Sequence, residues 1–316
     1  MASSHPAVRI ALFAGKAAVS AGLIWLALRQ TDLATVADRM AAIPALDLVV
    51  ALLLLLVMSL VAAWRWALIS DAMGVVMGLP RACRILFIGL FFNQTLPSSL
   101  GGDAVRVLLV RRDGATLTDA VASVLVDRAT GVAALAITAA AGLPVLLGVP
   151  ALAAPAAVVS LLAVGAILCL ALLAWLGGRP PRSGRRVAVL IARVATGIRA
   201  AGRPAGRGLL VAALSVAIHL FVVVVAALLL RGLGRPVEFG LLLALVPMVM
   251  LFAIVPISIA GWGVREGAMV VALGYAGVAQ ADALAVSILL GLGLLATGLP
   301  GVPLWLATPA RASEPS

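Results

Sequence analysis

The sequence predicts an all-α polytopic membrane protein, with about six full spans and two re-entrant half-helix hairpins. Three observations carry this reading. The 316 residues are 64% hydrophobic and 11% charged, with a mean hydropathy of +1.22, whereas a soluble domain carries roughly 25% charge. Apolar runs of spanning length recur from end to end. Two other apolar stretches are short and interrupted by Pro, Gly and charge; counted as crossings rather than hairpins, they would give about 8–10 spans.

The first run, about Ile10 to Leu28, is read as a retained helix, because Lys16 interrupts it and no convincing cleavage site follows. A polar connection, Arg29 to Asp47, carries charges of both signs. The second span, about Leu48 to Ile69, ends in Trp64-Arg65-Trp66, a pattern that suits an interfacial anchor with a snorkelling arginine. Arg81 and Arg84 open the next apolar run, Ile85 to Leu96. Twelve to fourteen helical residues rise only about 18–21 Å against a hydrocarbon core of about 30 Å. The run Asp103 to Arg112 is equally short, so the pair reads as a hairpin. Thr116 to Asp119 marks a capped helix start, and that helix is expected to reach about Leu147. An uncharged turn, Gly148 to Pro155, leads to a span at about Ala156 to Leu176.

Gly177 to Gly208 is the most basic segment, with Arg179, Arg182, Arg185, Arg186, Arg193, Arg199, Arg203 and Arg207 and no acid. Val187, Ile191, Val194 and Ile198 recur at helical spacing, so the segment from Arg179 to Arg207 is expected to be an amphipathic surface helix binding anionic lipid headgroups. Its second half is rich in Gly and Pro and reads equally as a loop. Spans follow at about Leu209 to Leu230, Phe239 to Val255 (broken by Pro247 and Pro256) and Ala283 to Leu306. A short apolar run ends near Ala276. One transmembrane domain is expected over 1–308, with a disordered tail at 309–316.

The net charge is +11, nearly all of it from arginine. In a membrane chain this marks cytoplasmic loops and anionic lipid rather than nucleic acid. Counting from the basic segment places both termini and residues 81–84 and 111–112 on the cytoplasmic side. Cys83 and Cys169 show no metal or disulfide spacing. His5 and His219 are isolated, and His219 reads as a packed helix residue. No cofactor is implied: the phosphate-loop pattern and the metal-protease and serine-hydrolase signatures are absent.

The polar stretch Asn93-Gln94-Thr95-Leu96-Pro97-Ser98-Ser99-Leu100-Gly101-Gly102-Asp103-Ala104-Val105-Arg106 lies between apolar runs, where polar groups are costly. A second stretch echoes it: Pro256, then Gly261, Gly263, Arg265, Glu266 and Gly267. On the topology above, the two enter from opposite sides, the signature of inverted-repeat transporters whose site lies at the repeat interface. A helix starting at Asp103 or Arg265 would aim free N–H groups at a phosphate. Asp127 and Arg128 lie about 15 Å into their helix and point about 100° apart, so each needs another partner. One buried network is expected to join Asp103, Arg106, Asp127, Arg128, Arg265 and Glu266.

The pattern Asn93-x-x-Leu96-Pro97-x-x-x-Gly101-Gly102-Asp103-x-x-Arg106 is followed by Ala122-Ser123-Val124-Leu125-x-Asp127-Arg128 and by Pro256 … Gly261-x-Gly263-x-Arg265-Glu266-Gly267. Together they resemble the transmembrane, flippase-like domain of lysylphosphatidylglycerol synthases over nearly the whole chain. Many relatives carry Glu at the Asp127 position. The resemblance implies a lipid-translocation module of the inner membrane, without the fused cytoplasmic transferase domain. Its cargo would be a phospholipid, a polyprenyl-linked lipid or a hopanoid. The expected headgroup site comprises Asn93, Pro97, Gly101, Gly102, Asp103, Arg106, Asp127, Arg128, Gly261, Gly263, Arg265 and Glu266. The arginines would bind phosphate, and the acids would set geometry or couple protons. An intramembrane transferase using Asp103 or Asp127, and a scaffold for a lipid-synthesis partner, are the other readings; a homo-oligomer is compatible with each.

Overall fold

The computed structural model describes residues 32–95, 101–148, 152–180, 184–254, 258 and 261–308, and isolated positions within the first apolar run. The expectations for the first span, Pro97, Pro256 and the 309–316 tail lie outside the described residues. Every regular element described is helical. Among the described residues, five helices are long and apolar enough to cross a membrane.

The polar connection contains an unexpected helix, α1 (Leu33–Ala42), started by Asp32, whose side chain accepts the Ala34 N–H. The long span α2 (Ala45–Ala72) follows. The first short pair is α3 (Leu79–Thr95) and α4 (Gly101–Arg112). At 17 residues α3 is longer than expected, because Arg81 and Arg84 lie inside the helix rather than ahead of it. The two arms run antiparallel, and the Arg81–Asp113 ion pair at 2.5 Å ties their bases, so both start and end at one face.

Helix α5 (Leu117–Ala141) starts as the capping signal predicts: the Thr116 hydroxyl accepts the Asp119 N–H at 3.1 Å. It stops short of Leu147. At Gly142, α10 packs onto bare backbone, where a Cβ would overlap Ala244, and a separate turn, α6 (Leu143–Leu147), follows. The chain continues through α7 (Ala153–Leu176), the basic helix α8 (Arg186–Ala201) and the long span α9 (Ala205–Gly232). The second short pair is α10 (Phe239–Ile254) and α11 (Val264–Tyr275). Pro247 sits inside α10 without ending it. Helices α12 (Gln280–Gly298) and α13 (Gly301–Leu306) together form the last span.

The element order repeats with inverted direction. Each half holds a short amphipathic helix, a 28-residue span, a two-armed hairpin and a further span. The packing repeats too: α3 lies on α12 as α10 lies on α5, and α1 lies on α12 as α8 lies on α5. The halves join chiefly along α2 and α9. Placing Ala45 on Ala205 brings Gly74 (φ 80°) onto Gly234 (φ 70°); placing Leu117 on Gln280 brings Gly114 (φ 102°) onto Gly277 (φ 73°). Glycine recurs there because the turns leave their helices in the left-handed region. The second superposition also brings Asp119 onto Asp282 and Asp103 onto Glu266. Asp119 pairs with Arg193 of α8, and Asp282 pairs with Arg39 of α1, helped by Arg235. The α3/α4 hairpin is based at the arginine-rich face, and the α10/α11 hairpin at the opposite one.

Helix α8 lies at the basic face, and part of it packs on the bundle. Val187 and Ile191 are 69% and 51% exposed, and the buried side is Ala195, Gly197, Ile198 and Ala201. Gly197 allows close approach to Met73 and Val126. Arg193 donates to the Met73 carbonyl, and Arg199 donates to the Gly177 carbonyl at the end of α7. These two arginines anchor the helix to the bundle instead of facing outward.

Candidate functional site

Charged side chains from α2, α4 and α5 meet inside the bundle. Arg65 donates through Nε and Nη2 to Oδ1 of Asp127, at 3.1 and 2.9 Å, and through Nη1 to the Ser215 hydroxyl at 3.3 Å. Arg106 donates to the other Asp127 oxygen at 2.9 Å and to Asp103 at 3.3 Å. Its guanidinium carbon stands 4.0 Å from the centre of the Trp66 ring, a cation–π contact strengthened by desolvation. Arg128 grips both oxygens of Asp103, at 2.8 Å each. Asp127 and Arg128 thus have separate partners, as their angular separation requires. Three arginines share two aspartates, which leaves one positive charge in surplus. Arg65, Arg106, Asp103 and Asp127 are buried; the Arg128 side chain is 50% exposed.

The cluster borders a cavity of about 240 Å³ between α2, α3, α5 and α9, lined among others by Asn93, Arg106, Arg128, His219 and Ile254. Ile254 ends the first arm of the second hairpin, so both hairpins reach this space. His219 of α9 contacts the Gly131 carbonyl of α5 at 2.9 Å, joining the two halves across the cavity wall.

The hairpin arms touch backbone to backbone. Asn93 accepts the Gly102 N–H at 2.9 Å, and a Cβ at Gly102 would fall on the Gly89 carbonyl and the Asn93 side chain. Gly102→Ala is therefore expected to cost about 1–3 kcal/mol through overpacking, read as a lower unfolding midpoint of the detergent-purified protein. A wild-type midpoint would show that the arms do not meet there. Gly101 is buried in the first turn of α4, where the arms lie closest.

Arg265 and Glu266 form a second, separate group. Arg265 donates to Glu266 at 2.7 and 3.1 Å, and its guanidinium lies 4.6 Å from the Trp262 ring centre. Ser287 also donates to Glu266, and Glu266 accepts the Gly263 N–H at 2.5 Å. Among the described residues no hydrogen bond or ion pair joins this group to Asp103, Arg106, Asp127 or Arg128. The expected single network is thus two. The physical reason is local: neighbours on one helix turn can satisfy each other when a third element, here α12 with Ser287, completes the shell. Gly261 and Gly263 adopt φ of 80° and 87°, so their role is to turn the chain into α11.

Of the N–H groups expected to face a ligand at the two helix starts, one at each is already taken. The Gly102 and Gly263 amides are capped from within, by Asn93 and Glu266. Glu266→Ala would uncap Gly263 and strip Arg265 of its buried counter-ion, at a cost of about 3–5 kcal/mol. Glu266→Gln keeps an acceptor and is expected to unfold at a higher midpoint than the alanine variant. Equal midpoints would remove the cap from the account.

Arg65, Trp66 and Ser215 were not legible as site residues. The Trp64-Arg65-Trp66 pattern suits an interface anchor, yet α2 continues past Arg65 to Ala72, about 10 Å further at 1.5 Å per residue. Trp64 is exposed, whereas Trp66 is fully buried under Arg106. The available signal was the apolar Ala67-Leu68-Ile69 after the arginine.

An all-helical fold with five candidate spans among the described residues and a buried charge cluster defines a polytopic α-helical membrane protein. The chain belongs to the family of the lysylphosphatidylglycerol synthase TM region, whose model matches residues 13–299. That family is a membrane domain often linked to flippase-like function. No curated protein matches the chain at a significant level.

Proposed function

We propose that this protein is an inner-membrane lipid transporter that moves a phosphate-bearing lipid between leaflets. The observation that carries the reading is the surplus positive charge of the Arg65–Asp127–Arg106–Asp103–Arg128 cluster beside a cavity reached by both hairpins. Arg128, half exposed and already oriented by Asp103, is the first contact for the headgroup phosphate. Arg106 backs it from beneath, with Asp103 and Asp127 fixing the geometry. Arg265 and Glu266 act indirectly, by holding the second hairpin. The inverted repeat supplies the two related arrangements that alternating access needs.

The arginine-rich face is cytoplasmic by the positive-inside rule, and it takes both termini with it. The exposed Arg179, Arg185 and Arg203 and the half-buried Arg207 lie against anionic headgroups, while Arg193 and Arg199 anchor α8.

The test is purified protein in liposomes with a leaflet-resolved assay of a labelled phospholipid. Transport that is lost in Arg128→Ala and Asp103→Ala, with both variants still folded, supports the reading. Protein that moves no lipid but turns over a lipid-linked donor would establish the transferase instead. The geometry disfavours that alternative, because Asp103 and Asp127 each already accept from two arginines. Protein with neither activity would leave the scaffold role.

A further inference from the structure

A second space lies on the other side of the α5–α9 seam. It is a groove of about 220 Å³ between α5, α7, α8 and α9, walled by Ala133, Ala134, Ile198, Val211 and Ala212. Gly202 and Gly208 line its end at the basic face; Ile137 and Val216 line it deeper in the bundle. Along α9 the lining runs from Gly208 to Val216, about 12 Å at 1.5 Å per residue, against about 15 Å for half the hydrocarbon thickness. The groove therefore spans most of one leaflet. It is distinct from the charged cavity, because the Arg65–Ser215 and His219–Gly131 contacts stand between them.

The internal repeat shows that this space is specific to one half. Under the same superpositions, Gly208, Ala212 and Ser215 fall on Leu48, Leu52 and Leu55, and Thr130 falls on Gly293. In that half Leu55 packs so close to Gly293 that a Cβ there would lie 2.6 Å away. Leu55, 1% exposed, fills in that half the level that Ser215 leaves open on α9. Next in the chain to the lining residues Gly202 and Gly208 are Arg203, exposed, and Arg207, half-buried, in a segment that contains no acid. Arg207 folds back to donate to the Arg203 carbonyl, which holds the Arg207 guanidinium beside the Arg203 backbone.

We infer that this groove holds one acyl chain of an anionic phospholipid, with its phosphate at Arg203 and Arg207. A basic mouth above a dry slot spanning most of a leaflet matches such a lipid at both ends. The inference does not depend on transport. The lipid would be a resident one, wedged where the basic helix α8 meets the span α9.

The probe is phosphatidylglycerol carrying a diazirine midway along one chain, compared with phosphatidylcholine carrying the same chain. Each is crosslinked to the full chain in vesicles, and adducts are mapped by peptide mass spectrometry. Adducts are expected to concentrate on Ile137, Leu170 and Val216, above those on the exposed α7 residues Leu161 and Leu168, with phosphatidylglycerol exceeding phosphatidylcholine. Ala212→Leu, which installs the residue of the equivalent position, should lose most groove adducts while keeping those on Leu161 and Leu168. Arg203→Gln with Arg207→Gln should abolish the preference between the two lipids. Groove adducts no denser than those on Leu161 and Leu168, equal labelling by the two lipids in the unsubstituted protein, or an Arg203/Arg207 variant that keeps its preference would each overturn the inference.

Discussion

Asp127→Ala is expected to destabilise the protein by about 3–5 kcal/mol, the largest effect of any single truncation in the cluster. Asp127 is 4% exposed and accepts from Arg65 on one oxygen and Arg106 on the other. Its removal strands Arg65 with only Ser215 and the Asp127 backbone carbonyl as acceptors. Arg106 would keep Asp103 and the face of Trp66, so the penalty falls mainly on Arg65. The paired change Arg65→Met with Asp127→Leu should therefore recover part of the loss, because replacing both members of a buried pair is often close to neutral. Unfolding midpoints of the detergent-purified single and paired variants decide this. A double variant as unstable as the sum of the single changes would show that Arg65 and Asp127 do not depend on each other.

Arg128→Ala is expected to behave in the opposite way, with a small effect on folding and a large one on lipid. Its guanidinium is half exposed, so losing its bridge to Asp103 should cost no more than about 1 kcal/mol after solvent screening, and Asp103 keeps Arg106. A hydrogen bond to a charged group contributes about 1.5–3 kcal/mol, so headgroup affinity should fall by roughly ten- to a hundredfold. Arg128→Lys should recover only part of it, because an ammonium cannot grip Asp103 with two parallel bonds. The concentration dependence of initial rates in the leaflet-resolved assay reads the affinity, and an unfolding midpoint run in parallel reads the fold. Unchanged transport would remove Arg128 from the headgroup site; a collapsed midpoint would make its role structural.

The two effects differ because burial differs, and burial is what the sequence expressed unevenly. Hydropathy placed most of the spans, since each apolar run must be about a bilayer long whatever it packs against. The Thr116 cap was visible for a similar reason: the hydroxyl serves an amide three residues away. The helix at Leu33–Ala42 was missed because its charges of both signs, Asp38 and Arg39 among them, read as a loop. The break at Gly142 has a local cause in Pro144, which cannot donate into a continuing helix, and a distant one in the close packing of Ala244.

By itself the sequence determined the class of protein and the grouping of Asp103, Arg106, Asp127 and Arg128, and it favoured an opposed pair of interrupted hairpins over full crossings. Composition, run length and the cost of unpaired charge in a dry interior are enough for that. Only the tertiary structure decided who pairs with whom. It brought in Arg65 and Trp66 from an apparent surface anchor, and it separated Arg265 and Glu266 into a group of their own. It also gave the Gly102 and Gly263 amides internal partners, Asn93 and Glu266. Pairing in three dimensions depends on which helix faces meet, and helix faces on different spans carry no mark of one another in the chain.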